Sequence, residues 1–548
     1  MKLFRKRPAA NWWQGAFIYQ VYPRSFLDTN NDGIGDLPGI IQKLDYIAGL
    51  GVDAIWISPF FPSPMKDFGY DVSDYRDVDP LFGTLEDFDA LLDKAHDLKL
   101  KIIIDLVLSH TSDRHPWFHE SRQSRNNPKA DWYVWAEGKN GGPPNNWVSV
   151  FGGPAWTYDQ TRKQYYLHNF LKEQPDLNFH NPDVQDEILD TARFWLERGV
   201  DGLRLDVVNF YFHDRELRDN PSRPPELGAA TQFEGEDPYS QQAHIYDKSR
   251  PENFEFLKRL RTLINEYPGT MTVGEIGDDH PYRLAAQYTA GDQLLNTTYN
   301  PHMMTGRHKK LTIDLIRDPI EELEKQPGNG WPSWAFSNHD VVRAASRWHP
   351  DQDGFSHDPA LSKMLIALLG CLRGTVFLYQ GEELGLPETP LKYDDLQDPW
   401  GKNLWPKWQG RDGCRTPMPW NTATHAGFST AKPWLPISDT HHALNAEMQE
   451  QDENSTLSFA QKFIRWRKTC EALVTGAIEF QDMEDKSVLG FIRGDKNEKI
   501  ACFFNLGPSQ KILPAKKLQS CLENQPGIFN GKEIALPGYG FFIGKVIS

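Results

Sequence analysis

The sequence predicts an α/β protein: a (β/α)8 TIM barrel with a small domain inserted after its third strand and an antiparallel β domain at its C-terminus. First, segments of strand and helix character alternate along most of the chain, which is typical of repeated βα units around a parallel sheet. Second, eight strand-like segments can be counted in this alternation. Third, three of them deliver a carboxylate, at Asp206, Glu275 and Asp340, and the C-terminal ends of barrel strands share one rim.

The eight predicted strands are short apolar runs. They cover residues 17–22, 54–58, 102–108, 202–205, 271–274, 293–296, 333–336 and 375–379. Apolar residues three and four positions apart predict helices over residues 37–50, 85–98, 183–198, 252–267 and 457–468. Thr84 stands directly before the second of these helices and is predicted to cap its N-terminus.

The alternation breaks in two places, and the breaks define the predicted domains. Residues 110–181 are rich in Trp, Gly, Pro and Asn and too long for a plain loop, which predicts an inserted domain. Strand-like residues 488–492 and 500–505, separated by turns, predict a β-sandwich domain over residues 471–548. The barrel then takes residues 11–109 and 182–470.

A second irregular stretch, residues 211–251, is loaded with Pro, Glu, Asp and Gln. Such a stretch is either a disordered surface loop or a functional lid. It leaves directly from the strand that carries Asp206, so we favour a lid over the site.

Composition excludes several classes of partner. The formal net charge of −16 over 548 residues argues against binding to nucleic acid or to an anionic membrane. No stretch is long enough to span a bilayer, and the basic residues after Met1 are not followed by the apolar core of a signal peptide. Five cysteines, few and odd in number and without CxxC spacing, fit reduced thiols. The sequence thus predicts a cytoplasmic protein with a small uncharged substrate, either a monomer or a homodimer.

Motifs along nearly the whole chain carry a family resemblance. They are GVDAIWISP at residues 51–59, DLVLSH at 105–110, the three carboxylate strands, GEE at 381–383, QPDLN at 174–178 and RDGCRTPMPW at 411–420. With these the chain resembles the α-amylase superfamily of retaining α-glycoside hydrolases, and within it the α-glucosidases and the oligo-1,6-glucosidase subfamily. One departure is Ser109, where the wider family usually has Asn.

The resemblance implies a role for each carboxylate. A retaining glycosidase needs a nucleophilic carboxylate and an acid/base carboxyl about 5–5.5 Å apart. By its match to the family, Asp206 is the nucleophile, Glu275 the acid/base, and Asp340 the acid that grips the sugar hydroxyls. Arg204 lies on the same strand face as Asp206 and is expected to keep it ionised, whereas Glu275 needs a raised pKa.

The resemblance also implies the residues that surround the terminal glucose. These are Asp67, Tyr70, His110, Phe151, Arg204, Val207, His339 and Arg411. Asp67 and Arg411 together would form a polar end wall, which suits a pocket that admits a chain end. The two histidines taken alone are more often structural. Related enzymes that accept α-1,6 bonds carry Val at the position of Val207, and those confined largely to α-1,4 bonds carry Thr, although Val also simply suits a strand end.

Residues 28–36, DTNNDGIGD, place oxygen ligands at alternate positions around a glycine turn, like part of a calcium-binding loop. The resemblance implies a structural Ca2+ or Mg2+ held by Asp28, Asn30, Asp32, Asp36 and the carbonyl of Ile34. A solvated acidic turn is the alternative. No organic cofactor is implied.

The sequence therefore predicts a retaining, exo-acting α-glucosidase that releases glucose from the non-reducing end of short α-1,4 or α-1,6 glucosides. An α-glucosyltransferase or a sucrose isomerase of the same fold is the first alternative, because all three share the double displacement. The second alternative is a non-catalytic partner subunit. The presence of Asp206, Glu275 and Asp340 argues against it.

Overall fold

The computed structural model describes residues 11–227, 237–299, 303–304, 310–328, 330–351, 354–496 and 498–547. Eight parallel strands close a barrel in the order β1-β11-β10-β9-β8-β7-β3-β2. They are β1 (Phe17–Val21), β2 (Ala54–Ile57), β3 (Lys101–Leu106), β7 (Gly202–Leu205), β8 (Met271–Glu275), β9 (Thr297–Tyr299), β10 (Trp331–Ala335) and β11 (Thr375–Tyr379). The predicted fold class is confirmed.

The prediction for the sixth barrel strand is wrong in its position. Residues 291–293 form a single 3-10 turn, and the strand itself is Thr297–Tyr299. The backbone N–H of Asn296 donates to the side-chain Oγ1 of Thr272 at 3.2 Å. Such a contact occupies the backbone before the strand begins, while the β-branched and aromatic residues that favour a strand lie just beyond it.

Fourteen α-helices are described, and the longer ones pack around the barrel. They are α1 (Leu37–Leu50), α2 (Leu85–Asp97), α3 (Pro116–Gln123), α4 (Pro182–Arg198), α5 (Asn253–Asn265), α6 (Pro281–Tyr288), α7 (Ile313–Lys325), α8 (Ala344–Arg347), α9 (Pro359–Cys371), α10 (Pro399–Leu404), α11 (Asp439–Ala443), α12 (Ala446–Glu450), α13 (Thr456–Lys468) and α14 (Glu471–Val474). The predicted cap is confirmed: Thr84 and Asp87 form a capping box on α2.

Between β3 and β7 the chain forms a small antiparallel sheet in the order β4-β6-β5. Its strands are β4 (Trp135–Ala136), β5 (Trp156–Asp159) and β6 (Gln164–Leu167). A bridge between His110 and Asp176 joins the two ends of this insertion beside the barrel rim. The insertion therefore stands above the C-terminal ends of the barrel strands.

Two antiparallel sheets follow the barrel, as predicted for a C-terminal β domain. One has the order β12-β13-β14-β19-β16 and the other β15-β18-β17. Their strands are β12 (Ala477–Gln481), β13 (Val488–Gly494), β14 (Lys499–Asn505), β15 (Lys511–Pro514), β16 (Leu518–Ser520), β17 (Ile528–Phe529), β18 (Glu533–Leu536) and β19 (Phe541–Val546).

The stretch predicted as a lid lies partly outside the described residues, which omit 228–236. Its described parts are irregular but firmly attached. Asn146 of the inserted domain exchanges two hydrogen bonds with the backbone of Asn220, at 2.8 and 2.9 Å. Arg223 pairs with Asp279, which follows β8, at 2.7 Å. The stretch thus bridges the inserted domain and the barrel rim.

Among the described residues, no helix is long and apolar enough to cross a membrane.

The barrel interior is filled by apolar side chains. The interior layer includes Ile18, Trp56, Ile103, Val273 and Phe377. Because this floor is packed solid, polar side chains at the strand ends can only face the rim, where the candidate site lies.

Candidate active site

The three predicted carboxylates meet at the barrel rim. Parallel pairing aligns Leu205 with Gly274, so Asp206 and Glu275 leave adjacent strands side by side. Asp340 follows the strand β10 after a short turn. The register of the sheet therefore brings together residues that are far apart in the sequence.

Arg204 is the hub of the site, and its side chain is only 1% exposed. Its Nη1 donates to Asp206 Oδ1 at 2.5 Å and to Asp105 Oδ1 at 2.9 Å. Its Nη2 donates to Glu275 Oε2 at 2.6 Å. One guanidinium thus fixes three carboxyl groups, and each of its terminal nitrogens serves a different predicted catalytic group.

These contacts leave one oxygen of Asp206 and one of Glu275 available. Glu275 Oε2 also accepts from the backbone N–H of Val207 at 3.3 Å, so both its contacts within the described residues use the same oxygen. Asp206 is held through Oδ1. The second oxygens, Glu275 Oε1 and Asp206 Oδ2, are the ones that can act on a substrate.

The charge balance differs from the sequence-based expectation for Asp206. Burial raises the pKa of Asp206 well above its usual value, and the carboxylates of Glu275 and Asp105 raise it further, while Arg204 opposes them. Arg204 lowers the pKa of Asp206, as the sequence led us to expect, but burial and the two neighbouring carboxylates outweigh its effect. Asp105, equally buried, has its pKa raised to about 6. Three carboxyl groups facing one guanidinium favour retention of a proton in the cluster.

Asp340 has the opposite environment. Arg415 Nη2 donates to Asp340 Oδ1 at 2.8 Å, and Arg411 Nη1 lies 3.3 Å from the same oxygen. Burial would raise the pKa of Asp340, but His339 and these two arginines together lower it far below the usual range. Its environment thus favours the ionised form of Asp340, which accepts hydrogen bonds.

A polar wall closes one side of the site. Arg411 Nη2 donates to Asp67 Oδ1 at 2.8 Å and to Asp398 Oδ1 at 2.9 Å. Gln174 Nε2 donates to the other oxygen of Asp67 at 3.2 Å. Asp67 and Arg411 therefore lie together as predicted, with both side chains buried.

Both predicted histidines are buried and neutral. Burial lowers the pKa of His110 to about 4 and that of His339 to about 3. His110 Nε2 lies 3.0 Å from the carbonyl oxygen of Tyr70 and 3.1 Å from Nε2 of Gln174. Tyr70 stacks on His339 with ring centroids 5.4 Å apart and an interplanar angle of 2°.

Phe151 contributes an apolar edge. Its ring packs edge-on against Trp400 with centroids 5.1 Å apart, and the Arg411 guanidinium lies 5.4 Å above it. Val207 adopts a left-handed backbone conformation, with φ 35° and ψ 50°. This conformation is rare for a β-branched residue. It turns the Val207 N–H toward Glu275.

Residues 20–476 match the family described as "Alpha amylase, catalytic domain". The chain belongs to the α-amylase family. This family assignment confirms the resemblance seen in the motifs. The chain is 54% identical over 545 residues to a probable α-glucosidase of Rhizobium meliloti, and the match covers 98% of this chain and 98% of the relative. It is 37% identical over 530 residues to an oligo-1,6-glucosidase of Parageobacillus thermoglucosidasius, with 92% of each covered.

Solved structures of this family superpose closely. The α-glucosyl transfer enzyme XgtA has a TM-score of 0.93 at 51% identity, covering 98% of this chain and 99% of its own. The trehalulose synthase MutB of Pseudomonas mesoacidophila has a TM-score of 0.87 at 32% identity, and the match covers 98% of this chain and 100% of MutB. The fold is therefore compatible with both hydrolysis and transfer in related proteins.

Several residues of the site were not predicted from the sequence. They are Gln20, Asp105, Gln174, Asp398 and Arg415. Asp105, Gln174 and Arg415 lie inside motifs that carried the family resemblance, so the signal was present. Gln20 and Asp398 lie outside those motifs, and their roles depend on contacts across the barrel.

The loop of residues 28–36 lies between β1 and α1 and ends at the N-cap of α1. Asp28 accepts backbone hydrogen bonds from Asn30, Asn31 and Gly33, and Asp36 caps α1. Within the described residues no cluster of three or more His, Cys, Asp or Glu side chains could hold a metal. The oxygens of Asp28, Asn30 and Asp32 nevertheless turn inward onto the loop, a donor set that suits a hard cation.

Proposed function

We propose that the protein is a retaining, exo-acting α-glucosidase that releases glucose from the non-reducing end of short α-glucosides. The observation that carries this proposal is the Arg204 hub, which holds Asp206 and Glu275 each by one oxygen. Asp206 Oδ2 attacks the anomeric carbon while Glu275 protonates the leaving oxygen, and a glucosyl ester forms on Asp206. Water, deprotonated by Glu275, then releases glucose with retained configuration.

The polar wall supports exo action. Arg411 is hydrogen-bonded to both Asp67 and Asp398, so Asp67 and Arg411 close the pocket beyond the terminal sugar. Their remaining acceptor and donor capacity suits the 4- and 6-hydroxyls of a chain end. Phe151 supplies an apolar edge beside them, against which a sugar ring packs.

Transfer to a sugar or alcohol is the second candidate. The similarity to an α-glucosyl transfer enzyme and to a trehalulose synthase favours it. The glucosyl ester on Asp206 is common to hydrolysis, transfer and isomerisation, and relative access of water and acceptor decides between them. A non-catalytic role is disfavoured because Asp206, Glu275 and Asp340 lie together at the rim with Arg204 intact.

For linkage, we propose that Val207 gives activity on α-1,6 bonds alongside α-1,4 bonds. Val207 directly follows the nucleophile, and its backbone N–H lies 3.3 Å from Glu275 Oε2. A methyl there offers an apolar wall, where a Thr hydroxyl would hold water. Relatives named oligo-1,6-glucosidase support the same reading.

We also propose that residues 28–36 hold a structural Ca2+ or Mg2+ through Asp28, Asn30, Asp32, Asp36 and the carbonyl of Ile34. Burial raises the pKa of Asp36, and the nearby charge of Asp28 raises it further, which a bound cation would relieve. A bound cation supplies tight closure of the loop. Adding Ca2+ is expected to raise the Tm of the parent protein. The Tm of Asp28→Ala is expected to stay unchanged on the same addition.

The remaining proposals concern the protein as a whole. The barrel, inserted and C-terminal domains are assigned to 11–109 with 182–470, 110–181 and 471–548. The five free cysteines are consistent with a cytoplasmic location. We propose that the protein is a monomer or a homodimer.

One experiment separates the functional candidates. The protein is incubated with maltose, isomaltose, sucrose, trehalose and maltotriose, and the products are analysed by chromatography. Free glucose from maltose and isomaltose is expected. Rearranged disaccharides from sucrose would instead favour an isomerase, and no turnover of any sugar would contradict the proposal.

A further inference from the structure

Beneath the catalytic carboxylates lies a hydrogen-bonded chain that begins at Gln20, a residue without an assigned role. Gln20 is the fourth residue of β1 and is only 1% exposed. Its Nε2 lies 2.7 Å from His339 Nδ1 and 3.2 Å from Ser58 Oγ. On the other side of the imidazole, His339 Nε2 lies 2.7 Å from the hydroxyl of Tyr70.

The geometry points to Gln20 as the residue that sets the tautomer of His339 and keeps its imidazole neutral; this inference rests on the proposed glucosidase function. An amide nitrogen always donates. Nδ1 at 2.7 Å must therefore accept, and the single proton of the neutral ring lies on Nε2. Nε2–H then donates to the Tyr70 oxygen, and the Tyr70 hydroxyl donates to Asp105 Oδ2 at 3.0 Å.

An independent contact selects the same tautomer. His339 Nε2 lies 3.3 Å from Asp340 Oδ2, the ionised carboxylate. A proton on Nε2 makes this contact attractive. If the Gln20 amide were turned over, its oxygen would require a proton on Nδ1, and the Nε2 lone pair would face the Asp340 carboxylate.

The imidazole cannot evade this constraint by rotating. It lies between the rings of Tyr22, at 5.5 Å and 18°, and Tyr70, at 5.4 Å and 2°. Its orientation is therefore fixed by stacking and its protonation by Gln20. In this hydrogen-bonded chain Gln20 donates to His339, His339 donates to Tyr70, and Tyr70 donates to Asp105. Asp105 in turn accepts from Nη1 of Arg204, the same nitrogen that donates to Asp206.

The consequence for the reaction is electrostatic. The transition state for glucosyl transfer carries positive charge at the anomeric carbon. A second proton on His339 would have to occupy Nδ1, where it meets the N–H of Gln20. Gln20 thus keeps a cation out of the pocket and leaves Nε2–H as a donor, so it acts as a positioning residue through His339.

The test is Gln20→Met, which keeps the volume and removes the donor. Loss of the donor removes support for the neutral ring, so the pKa of His339 rises. The acid limb of the kcat profile then moves to higher pH, with a smaller change in KM. Ser58→Ala is the matched control, because it removes the other partner of the same amide and leaves His339 untouched.

A direct measurement keeps the inference testable if the variant does not fold. Nitrogen-15 spectra of the histidine-labelled parent, with His339 identified by difference from His339→Gln, report which ring nitrogen carries the proton. Protonated Nε2 and unprotonated Nδ1 are expected. A proton on Nδ1, or a folded Gln20→Met with the parental tautomer and pH profile, would overturn the inference. The tautomer measurement needs no turnover, so failure of the proposed function is seen separately.

Discussion

At the scale of single residues, charge and backbone conformation around Asp206 decide what the site can do. Arg204 holds three carboxyl groups, and burial raises the pKa of Asp206 well above its usual value. The left-handed Val207 turns its N–H toward Glu275 at 3.3 Å. Each of these features can be changed by one substitution that leaves its neighbours in place.

The pH dependence follows from the raised pKa of Asp206. The nucleophile must be ionised, so kcat/KM is lost as the pH falls through a pKa that lies above the usual value for Asp, about 3.9. Asp105→Asn removes one of the negative charges that raise this pKa. The acid limb should therefore move to lower pH, as measured on an aryl α-glucoside. Asp45→Asn on the exposed side of α1 should leave the limb in place, and an unmoved limb in Asp105→Asn would contradict this account.

Linkage preference is tested at Val207. Val207→Thr keeps the branched Cβ, so the left-handed backbone is equally strained in both proteins and only a methyl becomes a hydroxyl. The ratio of isomaltose to maltose turnover is expected to fall, by about fivefold for ~1 kcal/mol of altered contact. A parent that ignores isomaltose, or a ratio that does not change, would remove the support for an α-1,6 role.

At the scale of elements, the irregular stretch of residues 211–251 acts as a wall through the parts that are described. It contacts the inserted domain at Asn146 and the rim at Asp279. We predict that a wall attached on both sides crowds the space beyond the first leaving sugar, and that size selection therefore depends on this element.

We expect maltose to be turned over about tenfold or more faster than maltohexaose, as kcat/KM. Asp279→Asn breaks the largely buried ion pair with Arg223 and should narrow that difference. Glu266→Gln, at the exposed pair with Arg193, is the control and should leave it unchanged. Equal kcat/KM on both substrates in the parent would show that the stretch does not limit substrate size.

The elements also show what the sequence could and could not predict. The strands that carry Arg204 and Glu275 were located correctly because apolar runs end there on charged residues. The helix α9 was not predicted, because it is buried on nearly all sides and lacks an amphipathic period. The hub around Arg204 also escaped prediction, since the contacts with Asp105 and Glu275 depend on the register of neighbouring strands.

At the scale of the whole molecule, buried arginines join the barrel to the C-terminal sheets. Arg493 of β13 donates to the carbonyl of Cys371 at 2.6 Å and to that of Gly476 at 2.8 Å. Arg467 of α13 donates to the carbonyl of Leu473 at 3.1 Å. These contacts stabilise the assembly far from the catalytic rim.

Arg493→Met should therefore lower stability without altering the chemistry. It leaves several buried carbonyls without their donor, which costs about 2–4 kcal/mol in the free energy of unfolding. KM for maltose should be unchanged in the folded fraction. Arg76→Met at the surface pair with Glu187 should cost no more than about 1 kcal/mol. A large change in KM with unaltered stability would contradict this assignment.

The most direct test of the central claim is to trap the glucosyl ester and locate it by mass spectrometry. Glu275→Gln is mixed with α-glucosyl fluoride, whose leaving group needs little protonation, so the ester forms but its hydrolysis lacks a base. The account predicts one added glucosyl group on the peptide that contains Asp206, and none in Asp206→Ala. A label on another residue, no label at all, or a Glu275→Gln variant that treats good and poor leaving groups alike would contradict it.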